Sequence, residues 1–412
     1  MNDFCSQGPP TEFSSQFIDF VPLATESVPL AQARGRVVAE LLASPEALPP
    51  FARSLMDGYA VQAADTLGCS ESTPALLNVV GEIAAGASGR TLGLGPGQAI
   101  RIWTGGELPK EADAVVMVEH TRLAGQDAVA VFRPVAPADN MVQAGEDCAP
   151  GALLFEAGHR LRVQDLGLLA GLGIATVQVF CRPRVAILST GDELVPPDQT
   201  PPPGKIRNVN SITLAALVEE AGGLPLPCGI CPDDFDRMLA LCTEALDQAD
   251  MLLLSGGSSL GRRDFTRQVL AAIPGSTILV PGVSVHPGKP AILARQGNKA
   301  LFGLPGHAAS ALVGFLCFVR PLLRLYMGQG PSLGLPTVRA ITGQPIFSMV
   351  GREEYVRVRL TPQGDGAPPL ATPVAGKTGL LGPLVRAHGL LPIGRDVGGL
   401  DEGMDATVLL LP

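Results

Sequence analysis

The sequence predicts a multidomain α/β protein in which a central doubly wound α/β domain is flanked by smaller β domains. Three observations carry that expectation. At 412 residues the chain exceeds what one hydrophobic core organises, and length alone implies roughly two to four domains. Between residue 184 and about residue 327, apolar β-rich runs alternate with helical stretches. On either side of that stretch, short alternating runs are broken by Gly and Pro, as in small all-β domains.

In the central stretch, Val185-Ala186-Ile187-Leu188 reads as a buried strand running into the loop Ser189-Thr190-Gly191-Asp192-Glu193. Asn210 or Ser211 caps the next helix, which stops at Gly222-Gly223. A strand then reaches Ile230, Asp233 or Asp234 caps a second helix, and Met251-Leu252-Leu253-Leu254 is another buried strand entering SGGSSLGRRD. STILV and KALFGL fit further strands, and an apolar helix after Gly306 closes the unit. Parallel strands joined by crossover helices bring the loops after the strands to one edge, where such sheets bind ligands. The polar motifs fall on that edge.

Upstream, AIRIW, AVVMVEH and AVAVF within residues 74–135 predict a small β domain. Two helix-like stretches, residues 30–43 and 153–173, flank it and are expected to pack together as one element that the β domain interrupts. After the Gly/Pro linker at residues 327–336, EEYVRVRL alternates as a half-buried strand does and opens a second β domain.

Composition excludes several classes. A net charge of -9 would repel phosphates over the whole surface, so neither nucleic acid nor an anionic membrane is an expected partner. The N-terminus has no basic region leading an apolar stretch, and the longest apolar run, Ala308 to Val319 apart from Ser310, is too short to span a bilayer. Eight cysteines in a chain this long are no disulfide scaffold, and the CxxC at Cys228 and Cys231 has no second pair to complete a zinc set. A cytoplasmic protein is expected.

The α/β edge offers Glu193, Asp234 and Asp264 on different loops, beside the glycine-rich segments Ser255-Gly256-Gly257 and Leu304-Pro305-Gly306. Carboxylates next to exposed amides suit a hard cation bridging a phosphorylated ligand, and glycine permits the close approach. Each feature alone has an ordinary reading, the acid as a helix cap and the glycine pair as a turn. There is no GxxxxGK[ST], which disfavours an ordinary P-loop nucleotide triphosphatase, and no GxGxxG after a strand.

At these residues the chain resembles the MoeA and gephyrin E-domain family of molybdopterin molybdenumtransferases. The segments that carry the resemblance occur in order: LPPFARSLMDGYAV (48–61), AIRIWTGGELP (99–109), AGEDC (144–148), ILSTGDELV (187–195), SGGSSLGRRDF (255–265), HPGKP (286–290), GLPGH (303–307) and GREEYVRVRL (351–360). The resemblance implies a transferase that joins molybdate to adenylylated molybdopterin, releases AMP and needs Mg²⁺. It also implies a homodimer whose clefts are shared between subunits. A molybdopterin adenylyltransferase and molybdoenzyme acceptors are the implied partners. The implied domains are an elongated α+β linker (1–44 with 148–180), a β-rich insertion (45–147), a molybdopterin-binding-type α/β domain (181–329) and a C-terminal β domain (330–412).

Carried over position by position, the resemblance gives Glu193, Asp234 and Asp264 to Mg²⁺ and places Asp57, Thr104 and Asp147 in the cleft of the other subunit. Lys289 and Arg352 match basic residues that bind an oxyanion, Arg through its fixed fork of donors. Ser255, Gly256, Gly257, Ser259, His286, Pro305, Gly306, Ser310 and Thr378 complete the expected substrate contacts. Some positions depart from the family pattern. Val142 stands in place of an arginine, His286 in place of a lysine or arginine, and His307-Ala308 in place of Asn-Pro; Thr378 is the nearest hydroxyl to a family serine. The departures spare the acids and fall on the oxyanion pocket, so a tungstate-selective paralogue is one alternative expectation; the resemblance itself allows a second, a non-catalytic scaffold or cofactor carrier of the same fold.

Overall fold

The computed structural model describes residues 15–256, 265–364 and 366–412. Strand β1 (Thr25–Pro29) and the short β2 (Leu42–Ala43) come first. Residues 30–43 are not the expected helix. Their valines are taken by bridges from a distant segment, Val37 to Arg160 and Val38 to Val179, and Gly35 turns the chain at φ +75°. Helical spacing of apolar residues was overridden by strand partners that only the fold supplies.

The insertion follows, with β3 (Arg53–Ser54), β4 (Gly58–Val61), β5 (Ala75–Ile83), β6 (Gln98–Ile102), β7 (Ala114–Met117), β8 (Thr121–Leu123), β9 (Ala128–Val131) and β10 (Met141–Val142). Six of these form one sheet in the order β7-β4-β6-β5-β9-β8, while β10 pairs with β3. The chain then returns through β11 (Leu153–Phe155), α1 (Val163–Gly171) and β12 (Thr176–Phe180). Of the second helix-like stretch, therefore, only the α1 portion is helical. β11 pairs with β2 and β12 with β1, and Val28, Val38, Leu161, Leu169 and Val179 share one buried cluster. The two segments on either side of the insertion thus pack as one element.

The central domain runs through β13 (Arg184–Thr190), β14 (Leu194–Val195), β15 (Ile206–Arg207), α2 (Asn210–Ala221), β16 (Leu224–Cys231), α3 (Phe235–Gln248), β17 (Met251–Ser255), α4 (Phe265–Ala272) and β18 (Ser276–Val280). It continues with β19 (Val285–His286), β20 (Ile292–Gln296), β21 (Lys299–Leu304) and the helix α5 (Ala308–Tyr326). Its sheet has the order β16-β13-β17-β21-β20-β18; the first four strands are parallel, β20 runs antiparallel to β21, and β18 antiparallel to β20 at the edge.

Alternation along the buried strands divides their residues between two cores. Val185, Ile187, Met251, Leu253 and Phe302 face α2 and α5 through Leu214, Val218 and Phe315. Ala186, Leu188, Leu252, Leu254 and Leu301 face α3 and α4 through Met238, Cys242 and Val269. Helices thus cover both faces, the doubly wound arrangement. Helix α5 is longer than the apolar run implied. At 19 residues it is long and apolar enough to cross a membrane, yet 78% of its most apolar 18-residue window is buried inside the fold, as befits a core helix. It continues past Val319 because buried Arg320 is paired with Glu220.

The C-terminal domain contains β22 (Thr337–Thr342), β23 (Ile346–Phe347), β24 (Glu353–Thr361), β25 (Leu370–Pro373), α6 (Gly382–Arg386), β26 (Gly389–Ile393), β27 (Gly399–Leu400) and β28 (Asp405–Leu410). The pairings β24-β25-β22-β28-β26-β24 close a five-stranded barrel, which removes exposed edges. β19 of the central domain adds to β24 in parallel, setting Val285 opposite Glu353 and His286 opposite Glu354. That addition brings the barrel to the ligand edge.

Candidate functional site

Three parallel strands, β13, β17 and β21, end on one edge and deliver the STGDE loop, Ser255-Gly256 and the LPGH loop there. Gly256 leaves β17 at φ +111°, and a Cβ on it would lie 2.2 Å from the Thr190 carbonyl oxygen, so only glycine lets the two loops pass. Its amide donates to the Leu304 carbonyl at 3.1 Å, and its own carbonyl accepts from Thr266 Oγ1 at 2.9 Å. Gly306 packs on Gly256, with Pro305 buried beside it. Ser255 is 2% exposed and its hydroxyl accepts from Asn210 Nδ2 at 2.9 Å, so it braces the edge. The expected residues Gly257, Ser259 and Asp264 lie outside the described residues.

Asn210 is not the helix cap expected. Its amide ties Ser255 to the Gly306 carbonyl, each at 2.9 Å, while Asn208 Oδ1 caps α2 by accepting from the Ser211 amide at 3.2 Å and also accepts from Ser189 Oγ at 3.1 Å. These two asparagines hold three loops together, and sequence reasoning missed that role. The available signal was a pair of asparagines, two apart, just ahead of a helix.

Among the acids, Glu193 is exposed and its carboxylate folds back over Gly191. Asp234 caps α3, accepting from the Arg237 amide at 2.8 Å through Oδ1. Thr190 Oγ1 donates to Asp233 at 2.9 Å, and Asp192 Oδ1 accepts from the Asp233 amide at 3.1 Å, which links the acidic loop after β13 to the start of α3. Among the described residues, no three His, Cys, Asp or Glu side chains converge as a metal set.

The basic residues gather where β19 meets the barrel. His286 Nδ1 lies 3.0 Å from Glu354 Oε1, and Glu354 Oε2 accepts from Ser348 Oγ at 3.1 Å and from Arg352 Nη2 at 3.4 Å. Arg352 Nε is buried and has no acceptor among the described residues. Lys289 is exposed just beyond β19, and Gly288 beside it packs against Ser310 in the first turn of α5. His307 Nδ1 and Thr378 Oγ1 are 3.3 Å apart, and the Ala309 amide donates to the Thr378 carbonyl at 3.1 Å. Lys289, Ser310 and Thr378 thus lie about the start of α5, where the positive end of a helix favours an anion, and Arg352 meets His286 through Glu354.

On the insertion, Asp57-Gly58 is the entry to β4, where a Cβ on Gly58 would lie 1.9 Å from the Val116 carbonyl oxygen. Asp57 Oδ1 accepts from the Thr104 hydroxyl at 2.7 Å and the Thr104 amide at 2.8 Å. The hydroxyl bond first, then the amide and the charge of Arg101, hold the Asp57 carboxyl below its ordinary value. Asp147 is exposed, and its amide donates to the Leu48 carbonyl at 3.0 Å. Among the described residues, no hydrogen bond or ion pair joins Asp57, Thr104 or Asp147 to the α/β edge of the same chain.

Fold and edge together define a class: a multidomain α/β protein whose ligand-facing loops are completed by a C-terminal barrel. Comparison with known proteins takes this further. Family models match along the chain, as the MoeA N-terminal region (domain I and II) over residues 11–173, the probable molybdopterin binding domain over 186–325 and the MoeA C-terminal region (domain IV) over 339–411. Molybdopterin molybdenumtransferase 2 of Mycobacterium tuberculosis (strain ATCC 25618 / H37Rv) is 35% identical over 386 residues, covering 93% of this chain and 94% of that protein. The molybdopterin molybdenumtransferase of Bacillus subtilis (strain 168) is 37% identical over 306 residues, 74% of this chain and 71% of its own. A crystal structure of the molybdopterin biosynthesis moeA protein from Pyrococcus horikoshii OT3 has 32% identity and a TM-score of 0.82, covering 98% of this chain and 100% of that one. The chain belongs to the MoeA family.

Proposed function

We infer that the chain is a molybdopterin molybdenumtransferase of molybdenum cofactor biosynthesis, acting on molybdate and adenylylated molybdopterin with release of AMP. The observation that carries this reading is that acidic residues follow two strands of the central sheet while basic and hydroxyl residues lie where that domain meets the barrel. Glu193 and Asp234 lie after β13 and β16, Thr378 lies beside the start of α5, and Arg352 meets His286 through Glu354.

In this reading Lys289 and Arg352 bind molybdate by charge and by the guanidinium fork, with Ser310 and Thr378 as neutral donors and His286 alongside. The loops at Ser255, Gly256, Gly257, Ser259, Pro305 and Gly306 hold the phosphorylated pterin where backbone amides come close. Glu193 and Asp234 are exposed, and Asp234 commits only Oδ1 to its helix cap, which leaves carboxylate oxygens of the kind that suit Mg²⁺. Glu193, Asp234 and Asp264 would hold it, and it would supply positive charge to the phosphoanhydride. Asp57, Thr104 and Asp147 serve the cleft of a second copy in a homodimer. A molybdopterin adenylyltransferase upstream, molybdoenzymes downstream and a cytoplasmic setting complete the proposal.

Incubating the purified protein with adenylylated molybdopterin, Mg²⁺ and molybdate tests the reading. AMP should be released and an apo-molybdoenzyme should become active. AMP at the level of a protein-free control would overturn the assignment, and tungstate in parallel reports which oxyanion the altered pocket prefers.

A further inference from the structure

The inference concerns Glu354 and rests on the reading above that this pocket takes a metal oxyanion. Glu354 is an unexpected occupant for an anion site. Its side chain is 14% exposed, and its two oxygens meet His286, Ser348 and Arg352. Arg352 is held loosely. Charge-assisted N–H···O⁻ bonds settle near 2.7–2.9 Å, whereas Nη2 lies 3.4 Å from Glu354 Oε2. The same guanidinium buries Nε with no acceptor among the described residues. A guanidinium presents Nε and Nη as a parallel pair matched to two oxygens of one anion. Here one prong is weakly engaged and the other has no acceptor among the described residues, so Glu354 leaves the hydrogen-bonding capacity of the guanidinium partly unused.

We propose that Glu354 is an internal counter-anion of the oxyanion pocket. It occupies Arg352 and His286 while the pocket is empty, and it weakens the pocket's hold on an incoming dianion so that the oxyanion is exchanged and not trapped. Tight binding of a substrate in its ground state does nothing for the rate once the site is filled, so an enzyme that must pass its metal on gains from such a counterweight. Glu354 acts here through Arg352 and His286, as a residue that sets affinity.

Repulsion between Glu354 and a bound anion scales with the charge of that anion. Molybdate and perrhenate are tetrahedral oxyanions of the same shape, carrying two charges and one. Glu354→Gln keeps the size of the side chain and removes its charge. In calorimetric titrations of the full-length protein at low salt, with molybdate alone and perrhenate alone, the variant should bind molybdate about tenfold tighter and perrhenate about threefold tighter, the square root of the first factor. Glu354→Ala carries the same expectation should the glutamine variant not fold. Affinities that stay unchanged, fall, or rise equally for both oxyanions would overturn the proposal, since Glu354 would then merely aim its neighbours. No binding of either oxyanion to wild type or variants would overturn it together with the pocket assignment. Charge-dependent tightening without AMP release by the wild type would instead leave Glu354 in this role and remove the transferase reading.

Discussion

The Thr104 hydroxyl reaches across 47 positions to donate to Asp57 Oδ1 at 2.7 Å, and the Thr104 amide donates to the same oxygen at 2.8 Å. One oxygen of an exposed carboxylate is therefore fixed and the other left to act.

Thr104→Val should remove the larger of the two bonds, letting the Asp57 carboxyl titrate closer to its ordinary range. A folded-state value held below the unfolded one contributes stability above the ordinary carboxylate range, and that contribution fades as pH falls through the lowered value. Because both groups are exposed, the change should be visible in the NMR titration of Asp57 and nearly absent from the melting temperature. A titration midpoint identical in the two proteins would show that the hydroxyl does not hold the charge.

Gly256→Ala should be disabling although it adds a single methyl group. The new Cβ would sit 2.2 Å from the Thr190 carbonyl oxygen, at a φ of +111° that side chains avoid, so the loops after β13 and β17 must separate. We expect a loss of about 2 kcal/mol or more in unfolding free energy and loss of AMP release. Wild-type denaturation with wild-type turnover would refute the close-approach argument.

Asp165, 4% exposed, anchors the linker: it accepts from the Arg162 amide at 2.8 Å and from the Arg162 guanidinium at 2.9 and 3.1 Å, and meets His159 Nε2 at 2.7 Å. Chiefly the Arg162 side chain, aided by its amide and by His159, holds this carboxyl far below the usual carboxylate range. Asp165→Asn should cost about 2–3 kcal/mol at neutral pH through lost charge-assisted bonds. The sign of its pH dependence follows from the lowered value. The gap between wild type and variant should be full above the ordinary carboxylate range and narrow as pH falls below it. Chemical denaturation at pH 7 and pH 3 checks this, and a gap that widens in acid would contradict it.

If Asp147 serves the cleft of a second copy, two inactive variants with lesions in different domains should complement each other. Co-refolding Asp147→Ala with Asp264→Asn allows a heterodimer to assemble one site with neither lesion. About half of the wild-type activity per heterodimer is then expected, one intact site of two. Verified heterodimers without activity would show that each site is built from a single chain.

Some of the site was legible because local chemistry shaped it. Asp234 lies where an acid after a strand caps the next helix, and it does so. Gly256 is glycine because backbone crosses there. Other parts were not legible, because their partners are remote. Residues 30–43 carry a helical apolar spacing, yet Val37 and Val38 pair with Arg160 and Val179, which no local window contains. Asn210 has the look of a cap and instead bridges Ser255 and Gly306, at separations of 45 and 96 positions. Glu354 sits in an alternating strand among other charges, with nothing nearby to mark it as the partner of His286, 68 positions away.

The sequence by itself determined the doubly wound central domain, since buried strands flanked by helices must bury both faces, and alternate residues of β13 and β17 were bound to divide between two cores. It also determined which residue types stand at the ends of those strands, through motifs whose order along the chain marks the family. Tertiary structure alone decided that the barrel would close, that β19 would join it, and that a carboxylate from β24 would stand between His286 and Arg352. The division has a physical cause. Periodicity and capping are set by neighbours in the chain, whereas strand pairing and charge pairing depend on contacts across many residues, whose energies exist only once the chain has folded.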